Sequence, residues 1–402
     1  MTTRSLVRPL QFNYDHQQLH RLLVVLTTFI ALDYIILKKL FFETSLKHQI
    51  MMNEEYYSRV LEIFFEFISI LGDGAGVAIY LSFAACTLSR ENFFICLMTQ
   101  GIGCGLVTIL KSANNEPRPY FLVENLNPRK CSLEHGDPSA HAFISTALLG
   151  SILNRLILQY HLKHPRFLWS IYVAFVTLIG MSRIYNGYHT YNQVLSGFIW
   201  GASLYYFTCK IIADYLIKFV RNFRFLHKNV LLWNPLTQFF VYGYLIQTLL
   251  YFYNVNYRPT PESWYAITKK NCPNRLIHID PELSDFEKFS TSSTILGAIL
   301  GLYIENNYLP TKDMLDHFKV PLIKSAFALA VTLIGMLLSV SISFVVSHNH
   351  PFILVLLCKS FLPCFGAGLY LMGFSRYVLF WFGLINTKKI YLDYNKDVNK
   401  DE

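Results

Sequence analysis

Three short stretches hold the residues able to do chemistry: Lys111 to Arg118-Pro119, then Pro138-Ser139-Ala140-His141, then Ser182-Arg183 followed by His189. Permanent cations, small hydroxyls and two histidines suit the gripping of a phosphoryl group and the cleavage of its ester. Its transition state spreads charge over three equatorial oxygens, so preorganised positive donors supply most of the stabilisation. Each residue alone has a plainer reading. Lys111 closes an apolar run and could be a snorkelling anchor, Arg118-Pro119 could be a turn, and Ser139 an ordinary helix N-cap. At a helix start, however, the plain and the functional readings of Ser139 coincide, because free N–H groups and the positive dipole end also favour phosphate oxygens. His141 falls in that first turn, where a general acid could reach a leaving oxygen.

The order and spacing of the stretches resemble the signature of the type 2 phosphatidic acid phosphatase and haloperoxidase superfamily. That signature reads Lys, six residues, Arg-Pro; Pro-Ser-any-His; then Ser-Arg, five residues, His, with an Asp usually four further on. A triple of motifs in order is far more specific than any one of them. The resemblance implies phosphate binding by Lys111, Arg118, Ser139 and Arg183, acid catalysis by His141, and nucleophilic attack by His189 through a phosphohistidine. It implies no metal and no cofactor. One position departs: Gln193 stands where the superfamily usually has Asp, as it does in glucose-6-phosphatases. An amide oxygen can still accept the His189 proton and orient the ring, so on the motif alone Gln193→Asp should remain active.

Positioning these residues falls to membrane helices. Hydrophobic residues make up 53% of the 402 positions and charged ones 15%, with a mean hydropathy of +0.33, too apolar for an ordinary soluble chain. Apolar runs recur from Leu22–Leu37 through Phe352–Met372. Most approach the ~20 residues that cross hydrocarbon, so the fold class expected is all-α, a polytopic membrane bundle of about eight to ten transmembrane helices. The first run contains Asp33, precedes Lys38-Lys39 and lacks a small-residue cleavage site, which favours a retained helix. Tyr57–Leu71, with Glu62 and Glu66, reads as an interfacial helix.

Two crossings separate the loop 111–141 from the loop 182–193, so both emerge on one face. Arg90, Lys163, Arg166, Lys218, Arg221, Arg224 and Lys228 lie on the opposite face, with Arg4, Arg8, Lys388 and Lys389. By the positive-inside tendency that face and the C-terminus are expected to be cytosolic and the active face to open to a lumen or the exterior, with the endoplasmic reticulum as the membrane expected. On the active face the loop 254–291 balances basic residues against Glu262, Asp280, Glu282, Asp285 and Glu287. The net charge of +9 then belongs to loops near anionic lipid and argues for a bilayer partner, with no nucleic acid. The eight cysteines show no metal spacing; Cys131 and Cys272 alone fall in lumenal loops, as a disulfide or as free thiols.

The chain divides into a tail and first helix (1–56), a core carrying the motifs (57–215), C-terminal membrane helices (216–386) and a polar cytosolic tail (387–402). The activity expected is metal-independent phosphomonoester hydrolysis. A lipid phosphate, such as a sphingoid-base phosphate or phosphatidic acid, is favoured as substrate, with a sugar phosphate of the glucose-6-phosphatase kind as alternative. An inactive scaffold or transporter fits less well, since Lys111, Arg118, Ser139, His141, Arg183 and His189 are all present. Soluble haloperoxidases do not match these spans.

Overall fold

The computed structural model of the chain describes residues 15–54, 58–126, 128, 131–223, 233–272, 280–309, 322–346 and 350–384, and among them every regular element is a helix. Arg4, Arg8, Arg224, Lys228, Lys388 and Lys389, and the tail 387–402, lie outside the described residues. In chain order, α1 (His16–Leu32) passes through a π turn into α2 (Lys38–Glu54), followed by α3 (Arg59–Leu71), α4 (Gly74–Thr87) and α5 (Arg90–Asn114). The short α6 (Pro119–Leu122), then α7 (Ala140–Tyr160), α8 (Pro165–Tyr185), α9 (Tyr191–Tyr206) and α10 (Ala213–Asn222) complete the motif-bearing part. Beyond it come α11 (Pro235–Tyr257), α12 (Glu262–Asn271), α13 (Pro281–Phe289), α14 (Thr294–Tyr308), α15 (Leu322–Val340) and α16, a helical stretch over Phe352–Trp381.

Six helices among the described residues are long and apolar enough to cross a membrane, or seven if α3 and α4, bent by 49°, count as one. That is fewer than the apolar runs imply, for physical reasons. Helix α11 has the length, at 23 residues, but its polar Gln238, Gln247, Asn254 and Asn256 dilute it, and α14 has only 15. The segment 254–291, expected to be a charged loop, instead folds into α12 and α13. Glu282, Asp285 and Glu287 are buried there rather than solvated.

Helix α5 runs through the centre, with 78% of its most apolar window buried, whereas only 11% of the window on α1–α2 is buried. Ser89 starts α5 by accepting from the Asn92 N–H; the helix stops at Asn115, in the left-handed region at φ 49°, because Pro117 and Pro119 cannot continue it. Helices α7 and α9 cross closely enough that a Cβ at Gly201 would stand 2.4 Å from the Phe143 carbonyl oxygen, and one at Gly197 2.7 Å from that of Ser139. Glycine at both places lets the second and third motifs meet. Cys131 and Cys272 form a disulfide that ties the segment after α6 to the end of α12, beside hydrogen bonds from Asn271 Nδ2 to the carbonyls of Tyr120 and Val123.

Candidate active site

His189 lies in the turn between α8 and α9, fixed by its backbone before its ring is considered. Its N–H donates to the Arg183 carbonyl, and its carbonyl accepts from Gln49 Nε2 of α2 at 2.7 Å. Around the ring, Nδ1 lies 3.1 Å from Gln193 Oε1 and Nε2 lies 3.2 Å from Arg118 Nη1. A guanidinium only donates and an amide oxygen only accepts, so both contacts assign the same tautomer, protonated on Nδ1 and bare on Nε2.

The assignment depends on which way the Gln193 amide points, and three contacts away from His189 decide it. Gln193 and Thr190 form the capping box that starts α9, so Oε1 also accepts from the Thr190 N–H at 3.2 Å. Nε2 donates to Glu116 Oε1 at 2.9 Å and to the Pro117 carbonyl at 2.8 Å. A flipped amide would set oxygen against two acceptors and nitrogen against an N–H, each buried mismatch costing about 1–3 kcal/mol. Gly136 allows this packing, since a Cβ there would come within 2.5–2.7 Å of the Gln193 side-chain amide.

The other six residues singled out in the sequence gather near this ring. Arg118, extended at φ −79° and ψ 156°, donates from Nε to the Glu134 carbonyl at 2.7 Å, leaving Nη1 on His189. Arg183 donates to Ser69 Oγ and stacks its guanidinium 4.1 Å from the Tyr188 ring centre. Lys111, fully buried, donates to the His135 carbonyl at 2.7 Å. Ser139 occupies the N-cap of α7, yet its hydroxyl makes no capping bond. Among the described residues Ser139 Oγ and Arg183 Nε are both buried without a hydrogen-bond partner. His141 in the first turn of α7 packs against Gly72, within electrostatic reach of Arg183, Arg118, Asp73 and Glu134. Burial, then Arg118, Arg183, Lys111 and His141, push His189 well below the ordinary histidine range, so its ring is neutral near pH 7.

Several residues of the site carried no readable spacing in the sequence. Glu134 pairs with Lys111 at 3.0 Å. Burial alone would raise its carboxyl, but Lys111, Lys288 and Arg118 hold it well below the ordinary carboxylate range. His135 and Asp285 form a fully buried pair at 2.6 Å that joins the loop before α7 to α13 and so fixes the carbonyl that Lys111 uses. Lys288, solvent-accessible on α13, lies within electrostatic reach of Glu134, Glu287 and Asp73. The His135–Asp285 contact joins residues 150 positions apart, and no local pattern announces it.

Residues 92–216 match the family model described as the PAP2 superfamily. Sphingosine-1-phosphate phosphatase 2 of Mus musculus is 30% identical over 160 residues, covering 39% of this chain and 42% of that protein. The Homo sapiens protein of the same name is 28% identical over 160 residues, covering 39% and 37%. The chain thus matches about two fifths of the length of these relatives. A PAP2-type phosphatidylglycerolphosphate phosphatase from Bacillus subtilis superposes with a TM-score of 0.41 at 20% identity, covering 47% of this chain and 94% of that one.

Proposed function

We propose that this chain is an integral-membrane phosphomonoester hydrolase of PAP2 type, working through a phosphohistidine on His189. The observation that carries the reading is the bare Nε2 of a neutral histidine beside Arg118, with the unpartnered Ser139 hydroxyl and Arg183 Nε in the same cluster. A phosphate oxygen taking the Arg118 hydrogen bond would free the Nε2 lone pair. Nε2 then bonds to phosphorus while the ester P–O bond breaks, and the His141 imidazolium gives its proton to the departing alkoxide. Lys111, Arg118 and Arg183 offset the charge on the three remaining oxygens, while His189 Nδ1 keeps its proton and donates it to Gln193 Oε1. In the second step His141, now neutral, takes a proton from water as its oxygen attacks phosphorus and the N–P bond breaks. Inorganic phosphate leaves and both histidines are restored.

Among substrates the reading favours a lipid phosphate, supported by the sphingosine-1-phosphate phosphatase relatives and by the membrane helices that carry the site. A sugar phosphate is the second reading, because Gln193 matches the glucose-6-phosphatase form of the motif. The active face is taken as lumenal, with the endoplasmic reticulum as the membrane. Phosphate release by the purified protein should be measured on sphingosine 1-phosphate, phosphatidic acid and glucose 6-phosphate, with His189→Ala as control. Release from a lipid phosphate that His189→Ala abolishes is the expected result; equal release by His189→Ala would overturn the assignment.

A further inference from the structure

We propose that Glu116 is a positioning residue for His189, acting through Gln193, and that Lys38 of the first helix obliges this position to be a carboxylate; the inference rests on the phosphatase reading above. In the usual motif an Asp carboxylate stands directly against the histidine. Here a carboxylate stands one amide further back. Glu116 Oε1 accepts from Gln193 Nε2 at 2.9 Å and from Asn192 Nδ2 at 2.7 Å, while Oε2 pairs with Lys38 Nζ at 3.2 Å. Every group facing Glu116 at these contacts is therefore a donor, and only a carboxylate presents an acceptor on both ends.

The consequence reaches the reacting nitrogen in three links. Glu116 holds the NH2 end of Gln193, which fixes Oε1 on His189 Nδ1, which leaves Nε2 bare. Lys38 in turn is held by Asp137 at 3.4 Å, whose Oδ2 also accepts from Asn114 Nδ2 at 2.7 Å. Asp33, buried just over one helical turn before Lys38, adds a third carboxylate to the surroundings of that ammonium. The first helix contributes more than this one charge: Ser45 Oγ accepts from the Tyr191 N–H at 3.0 Å, and Gln49 donates to the His189 carbonyl. These three contacts fall on the segment bearing the nucleophile or on the residues behind it. They come from outside residues 92–216, so the matched segment alone does not contain the whole of this support.

The distinguishing experiment compares Glu116→Gln, Lys38→Met and the double variant. The amide introduced at 116 would have to aim its NH2 either at Lys38 or at Gln193 and Asn192, so kcat should fall about 10- to 100-fold, by analogy with removal of an outer partner that orients a metal-bound histidine. KM should change less, because the phosphate-binding cations are untouched. Adding Lys38→Met removes the conflict at one end, and the double variant should regain most of the lost kcat. A purely structural role for Glu116 predicts no such rescue. A readout without turnover accompanies it: the 15N shifts of His189, assigned by difference from His189→Ala, should report the Nδ1–H tautomer in wild type and a mixture in Glu116→Gln. Unchanged tautomer and kcat in Glu116→Gln, or a double variant no better than the single, would overturn the proposal. If wild type released no phosphate from any substrate, the functional reading would fail while the 15N spectra still decided this one.

Discussion

Two lysines bracket His189 from opposite sides, and their carboxylate partners are held very differently. In front, Lys111 of the buried α5 meets Glu134, whose carboxylate also accepts from Ser132 Oγ at 3.3 Å and whose side chain is still 17% exposed. Behind, Lys38 of the outer first helix meets Glu116, which also takes hydrogen bonds from Asn192 and Gln193. The same pair of charges therefore does two jobs. On the proposed mechanism the front carboxylate is the counter-ion that a substrate phosphate would displace, whereas the back carboxylate, held by three donors, would serve geometry.

Breaking the front pair at its cation should have the largest effect. Lys111→Met removes charge from where the transition state needs it, and kcat/KM for a phosphomonoester should fall about 10²–10³-fold. Phosphate release on the favoured lipid substrate measures it; a loss under threefold would mean Lys111 serves only to anchor His135.

At the back, Gln193→Asp tests the departure from the motif, and Glu116 reverses the expectation drawn from the motif alone. A carboxylate at 193 would face the Glu116 oxygen that now accepts from Nε2 at 2.9 Å, and two like charges there repel. The single variant should lose about tenfold in kcat, as an orienting contact is lost. Adding Glu116→Gln should largely restore it by offering the new carboxylate a donor. A fully active single variant would show that the two side chains separate at no cost.

Acidity separates front from back by a shift rather than a loss. His189 is held well below 6.5 by burial and by the front cations, and on the proposed mechanism its neutral form attacks. The acidic limb of kcat/KM belonging to His189 should therefore lie below pH 6.5. Removing a front cation relieves that depression, so in Lys111→Met the limb should move up in pH with the same substrate. A downward move would contradict the electrostatic account.

The smallest effect is expected at Glu134. Glu134→Gln removes the competing anion, so KM for a phosphomonoester should fall a few-fold with kcat little changed. A large fall in kcat would instead make Glu134 part of the chemistry.

The residues that could do chemistry, their order and their membrane setting were all legible in the sequence. Lys111, Arg118, Ser139, His141, Arg183 and His189 sit at fixed spacings beside helix ends, and apolar runs announce most of the helices. Gln193 was legible as the motif's one departure, whereas its place in a capping box emerged with the start of α9. Segment 254–291 was misread because its charges look solvated one by one; only packing against α5 and pairing with His135 and Thr260 buries them. Glu134, Asp285, Glu116 and Lys38 had no sequence signal for the same reason. A charge's role depends on which other charge lies within a few ångströms, and here the partners stand up to 150 residues apart. Periodicity and spacing determine helices and local motifs, but the pairing of buried charges is fixed only when the helices close on one another.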